Sequence, residues 1–174
     1  MEVRGGVGYI EEWSDARLVR DAHLGSIWEG TSNIVALDIA RAITREDALA
    51  PLQRHLQTLL AEADLPAPVT TLLRGLLDRA ARTMAEVAAE RRNEQVRQAG
   101  SALYHIATAI FMAWEAQRLA PDYRRLALAL LVARHKLLPR DPLNPSAEPA
   151  SALLAPLSAE APMSLDEALQ LLPR

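Results

Sequence analysis

The sequence predicts an all-α fold, an antiparallel helical bundle of about five helices preceded by a loop-rich N-terminal segment. From Asn33 onward the chain is rich in Ala and Leu, its apolar residues recur at helical spacing, and no stretch alternates as a strand does. The first 33 residues are different: they hold Gly5, Gly6, Gly8, Gly25 and Gly30, five of the seven glycines. A length of 174 residues is enough for one domain with a real core. The organisation expected is a motif-bearing segment over 1–33, the bundle over 33–138, and a Pro-rich tail over 139–174.

Taken in order, Thr31 and Ser32 offer N-cap hydroxyls for a helix over about 33–44. That helix is apolar nearly all round except for Asp38, Arg41 and Arg45, so burial with one polar seam is expected, along with an Asp38–Arg41 ion pair. A second helix fits 47–62 and ends before Asp64-Leu65-Pro66-Ala67-Pro68, where proline removes a donor and restricts its predecessor. Val69, Leu72, Leu73, Leu76, Leu77, Ala80, Met84, Val87 and Ala88 then share one helical face. After a polar patch at Arg91–Glu94 a further stripe runs through Val96, Leu103, Ile106, Ile110 and Trp114, continuing the same helix or starting another. A fifth helix is expected from Pro121 or Asp122 to Leu138, with Pro121 near its first turn and a buried apolar centre. Beyond it Pro139, Pro142, Pro145, Pro149, Pro156 and Pro162 read as an extended linker. A short helix from Leu165 to Leu172 follows, with Ser164 and Glu167 spaced as a capping box.

Composition removes several chemistries. Without cysteine there is no disulfide, thiolate metal site or cysteine nucleophile. His23, His55, His105 and His135 lack the i,i+3 or i,i+4 pairing of helical metal ligands, so no metal is expected. No serine sits in a nucleophile-elbow context. Eighteen Arg and one Lys against 22 acids give a net charge of −3, which exerts no general pull toward nucleic acid or membrane. The longest apolar run, Leu126–Ala133, is far too short to span a bilayer, and the cytoplasm is the expected location. The one basic concentration is Arg118, Arg124, Arg125, Arg134, Lys136 and Arg140, and it reads first as a solvated face offset by the acidic tail.

Chemistry concentrates in three short strings: Gly5-Gly6-Val7-Gly8-Tyr9, Arg17-Leu18-Val19-Arg20-Asp21-Ala22, and Ile27-Trp28-Glu29-Gly30-Thr31-Ser32-Asn33-Ile34. In the third, the Glu29 carboxylate stands just ahead of a helix start, and Gly30 lets another group approach the backbone. Thr31, Ser32 and the first helical amides suit a phosphate or other anion. A plain turn followed by a capped helix reads better from this pattern alone.

Together the three strings, in this order and spacing, resemble the C-terminal domain of the acyl-CoA dehydrogenase family, flavoenzymes that oxidise the Cα–Cβ bond of acyl-CoA thioesters. The resemblance is detailed over residues 2–44. It implies that Glu29 is the catalytic base, that Gly30 lies against the substrate, and that Thr31, Ser32 and Asn33 touch the FAD diphosphate or ribose. It also implies that Gly5 and Gly6 belong to a loop reaching the FAD of a neighbouring subunit, in a dimer or tetramer. Trp28 and Ile27 would give Glu29 the apolar, water-poor setting that raises a carboxylate pKa. Glu2 stands where that loop usually begins with Gln. Trp28, Asn33 and the long helical continuation look most like the alkylation-response (AidB-like) branch. The family's N-terminal and middle domains do not fit before Gly5, so the chain is expected to be a C-terminal portion, inactive alone. Two other readings stand beside this one: a DNA-associated flavoprotein module using the basic residues of 118–140, and a bundle serving only oligomerisation.

Overall fold

The computed structural model describes residues 2–28, 30–139, 143 and 154–173, and among these no strand occurs. The chain forms a 3-10 turn over Glu2–Gly8, then α1 (Ser14–Leu24), α2 (Ser32–Glu46), α3 (Leu49–Glu62), α4 (Ala67–Ala89), α5 (Asn93–Arg118) and α6 (Arg124–Val132). A π turn over Ala133–Leu137 continues α6, and a 3-10 turn at Ala155–Ser158 precedes α7 (Leu165–Leu169). Helices α2 to α6 are the five expected from the apolar stripes.

The hub is α5, which packs against α2, α3, α4 and α6. Its inward side carries Ala99, Ala109, Ala113 and Ala116 between the larger Leu103, Ile106 and Ile110, so neighbouring backbones come close. At Gly100 a methyl group would sit 3.5 Å from Ile39 and 3.8 Å from Ala36, where α2 crosses. The stripe expected on α4 is buried through Val69, Leu73, Leu76, Leu77, Ala80, Met84, Val87 and Ala88, while Leu72 is partly buried. Pro68 lies in the first turn of α4, where its missing N–H costs nothing.

The choice between one bent helix and two is settled for two. Helix α4 ends at Ala89, Arg91 turns to φ 54°, and α5 starts at Asn93. The Arg92 N–H reaches back to the Val87 carbonyl at 3.0 Å, closing the end of α4.

Four expectations need correction. Helix α2 is not buried: only Ala36 is, while Ile34, Val35 and Leu37 face outward and no second layer among the described residues covers them. Helix α1 occurs where no helical period is legible. Ala16 is its one buried residue, and exposed ion pairs line it instead: Arg17–Asp21 at 3.6 Å, Arg20–Glu11 at 2.5 Å and Arg4–Asp15 at 3.5 Å. The fifth helix begins at Arg124, not Pro121, which follows a cis peptide bond in the preceding connection. There the Asp122 carboxylate accepts the Arg124 backbone N–H at 3.2 Å, as an N-terminal acceptor does. The last helix stops at Leu169 and gives way to turns before Leu172.

The expected capping box is present. Ser164 and Glu167 form the reciprocal capping box, with the Glu167 N–H donating to Ser164 Oγ at 3.3 Å and the Ser164 N–H to Glu167 Oε2 at 2.8 Å. The centre of α6 is buried, apart from Leu128 on its outer side. Met163, Ala168 and Leu171 complete the core beside it. Most of the expected Pro-rich linker, 140–142 and 144–153, lies outside the described residues.

Candidate functional site

The leading segment is built by hydrogen bonds more than by burial. Gly5 adopts φ 59° with ψ −142°, a combination essentially restricted to glycine, and this kinks the 3-10 turn. Gly6 accepts the Tyr9 N–H at 3.0 Å. Arg20 on α1 grips Glu11 with two donors, and this pairing holds the Glu11 carboxyl below the ordinary range. Both Gly5 and Gly6 are exposed and open to an approaching group, since a methyl on either would meet nothing within 4 Å.

Helix α1 closes at Gly25. The Ser26 hydroxyl donates to the His23 carbonyl at 2.7 Å, and the Trp28 N–H to the Leu24 carbonyl at 2.8 Å. Trp28 and Ile27 are then 70% and 62% exposed. Glu29 lies outside the described residues. Gly30 follows at φ +108°, where a side chain is strained, and a Cβ there would also lie 3.3 Å from Ile34.

Helix α2 starts immediately beyond. Thr31 is the N-cap residue in extended geometry, but its hydroxyl caps nothing, contrary to the expectation from its side chain. The first helical hydrogen bond is Val35 N–H to Thr31 carbonyl at 3.0 Å. The amides of Ser32, Asn33 and Ile34 therefore have no acceptor among the described residues and face solvent beside three exposed polar side chains. Free amides and the positive end of a 15-residue helix form a ready anion site. Among the described residues, no hydrogen bond or ion pair joins this helix end to the Gly5–Gly6 turn, so the structure leaves the two glycine-containing motifs unlinked.

Elsewhere the candidates are ordinary. Of the basic concentration, Arg118 stacks 3.5 Å above Trp114 near Glu62, Arg124 pairs with Asp122 and Arg125 with Glu115. Arg140 lies outside the described residues. The expected Asp38–Arg41 pair is present at 2.7 Å, and Arg41 also reaches Glu46. Among the described residues no three His, Cys, Asp or Glu side chains could hold a metal, and no helix is long and apolar enough to cross a membrane. Sequence reasoning missed a cavity between α4 and α5. Arg79, His105 and Lys136 reach it from three separate elements, so no local motif marks it.

Comparison with known proteins bears on the first quarter of the chain. Residues 1–44 match the acyl-CoA dehydrogenase C-terminal domain family. The chain is 48% identical over 46 residues to AidB of Escherichia coli (strain K12), covering 26% of this chain and 8% of that protein. It is 38% identical over 61 residues to acyl-CoA dehydrogenase family member 11 of Caenorhabditis elegans, covering 34% and 10%. A short/branched chain specific acyl-CoA dehydrogenase, mitochondrial, of Bos taurus is 46% identical over 46 residues, covering 26% and 11%. The matched part thus spans about a tenth of the length of these relatives. No solved structure matches. The Gly5–Gly6 turn, α1, Gly30 and most of α2 all fall within the acyl-CoA dehydrogenase-like residues, whereas the bundle from α3 onward lies beyond the family match.

Proposed function

We propose that this chain is the C-terminal portion of an FAD-dependent acyl-CoA dehydrogenase-type enzyme, contributing the base and the diphosphate contacts for α,β-dehydrogenation of an acyl-CoA. The observation that carries the reading is the start of α2, where three amides without an acceptor among the described residues stand behind a turn at Gly30 inside the family-like residues. That donor set fits a diphosphate: it is exposed and at the positive end of a helix. Thr31, Ser32 and Asn33 hold the diphosphate–ribose end of FAD, which when bound supplies the acceptor for the departing hydride.

Glu29 takes the α-proton of the thioester. The missing side chain at Gly30 lets the thioester pass close to the backbone, since a methyl group there would already crowd Ile34. A carboxylate works as a base in this step when water is excluded around it. Trp28 and Ile27 are exposed on this chain, so their cover comes from other domains of the enzyme or from a second subunit. Gly5 and Gly6 reach the FAD of a neighbouring copy, in a dimer or tetramer. In this reading residues 1–33 carry the motifs, 33–138 the bundle and 139–174 a tail.

The test joins the chain to the family's N-terminal and middle domains. Glu29→Gln should leave FAD bound and lower turnover by about two to four orders of magnitude. Near-normal turnover would remove Glu29 from the chemistry. Alone, the dialysed chain should be colourless, because a diphosphate grip without a surface for the flavin ring holds the cofactor weakly. A yellow preparation with one FAD per chain would show that these residues suffice.

A further inference from the structure

A cavity of 420 Å³ opens between α4, α5 and the π turn, and none of the residues lining it belongs to the motif-bearing segment. Arg79 of α4 and Lys136 of the π turn both line it, and neither has an ion-pair partner among the described residues. This contrasts with Arg118, Arg124 and Arg125, each beside a carboxylate. Among the described residues no acid lines the cavity. Thr83 and Ser101 add hydroxyl donors, and His105 adds an imidazole. Beneath them the floor is apolar, formed by Leu76, Ala99 and Leu137.

Two exposed positive charges with no counter-charge among the described residues, beside neutral donors, match a doubly charged tetrahedral oxyanion better than a singly charged carboxylate. An apolar floor matches a small carbon body attached to that anion. We propose that this cavity binds a phosphomonoester of a small, largely apolar molecule, with Arg79 and Lys136 holding the phosphate.

His105 reports on the site. Burial, and secondly Lys136, hold its imidazole below the ordinary histidine range. The charged groups facing it from the packed elements are Arg79 on α4 and Lys136 on the π turn, and the Tyr104 ring stands edge-on at 5.2 Å. A bound anion therefore favours the imidazolium and raises the His105 pKa. By reciprocity, an anion whose own charge stays constant binds more tightly as pH falls.

The experiment titrates the full chain with phenyl phosphate and with sulfate, whose charge is constant from about pH 5 to 8, following the His105 ring by NMR. Saturable shifts are expected with both, tighter for phenyl phosphate, with a rise in the His105 pKa on binding. Arg79→Gln with Lys136→Gln should weaken binding about tenfold or more and abolish the pKa rise. Arg82→Gln, an exposed charge on the same helix outside the cavity, should change neither. Circular dichroism checks that the variants fold, and the sulfate-induced pKa rise in the unaltered chain stands independently of them. The proposal is overturned by the absence of saturable shifts or of the pKa rise, or by an equal loss in Arg82→Gln. Benzoate binding where sulfate does not, or a response only to duplex DNA, overturns it as well.

Discussion

Gly30 is where one residue's backbone decides the shape of the site. Its φ of +108° and the 3.3 Å approach to Ile34 leave no room for Cβ, so Gly30→Ala strains the turn and pushes on the first turn of α2. The expected cost is about 1–3 kcal/mol, measurable as a lowered denaturation midpoint with the rest of the spectrum unchanged. Gly6→Ala, at an unstrained and open position, should be nearly silent in the same assay. The importance of Gly30 is legible in the sequence because glycine before a helix start has few other uses. The failure of Thr31 to cap is not legible, since a hydroxyl in the right register can turn either to the amides or to solvent. The exposure of Trp28 is not legible either, since an indole beside an acid reads the same whether or not something covers the turn.

Among the elements, the C-terminal segment is fixed to α6 by polar clamps as well as by packing. Asp122 Oδ1 accepts the Met163 N–H at 3.1 Å, the Tyr123 N–H donates to the Met163 carbonyl at 2.8 Å, and Arg124 donates to the Ala159 and Ala161 carbonyls. The Met163 hydrogen bond, assisted by the Arg124 backbone and charge, holds the Asp122 carboxyl below the usual aspartate range. A depressed carboxylate pKa stabilises the fold above the unfolded value, near about pH 4, and that stability is lost as pH falls through the lower folded value. Acidification should therefore loosen residues 159–171 before the α4–α5 pair, seen as early loss of amide protection at Met163 and Leu171. Asp122→Ala should produce the same loosening at neutral pH. If protection at Met163 were insensitive to both, the clamp would be packing alone. Helices α3, α4 and α5 were legible because burial on one side writes a 3.6-residue stripe into the sequence. Helix α1 was not, because ion pairs at its surface leave no such stripe. The true start of α6 depends on a carboxylate that also serves a segment forty residues away, which no local pattern records.

At the scale of the molecule, the exposed side of α2 is unfinished surface. Ile34 is 57% and Leu37 41% exposed, and the groove formed by Ile39, Ile43, Leu49, Leu52 and Leu103 beside it is almost wholly apolar. Covering it with a second copy is the simplest outcome, and the chain should sediment as a dimer or larger at micromolar concentration. Leu37→Arg should weaken that association about tenfold or more. A monomer before and after the substitution would show that the face serves some other part of the enzyme. The apolar character of α2 was readable, but its exposure was not, because an all-round apolar helix looks the same whether its own chain or another covers it. The cavity between α4 and α5 was unreadable for a further reason, since its cations meet only once three elements have packed. The C-terminal clamp also orders events during synthesis. Met163 and Leu171 fill positions beside α6 that no earlier described residue occupies, so while the ribosome still holds residues 159–171, α6 has emerged with one side bare. Until that segment follows it out, the nascent bundle is at its stickiest, the interval in which a chaperone would find most to hold.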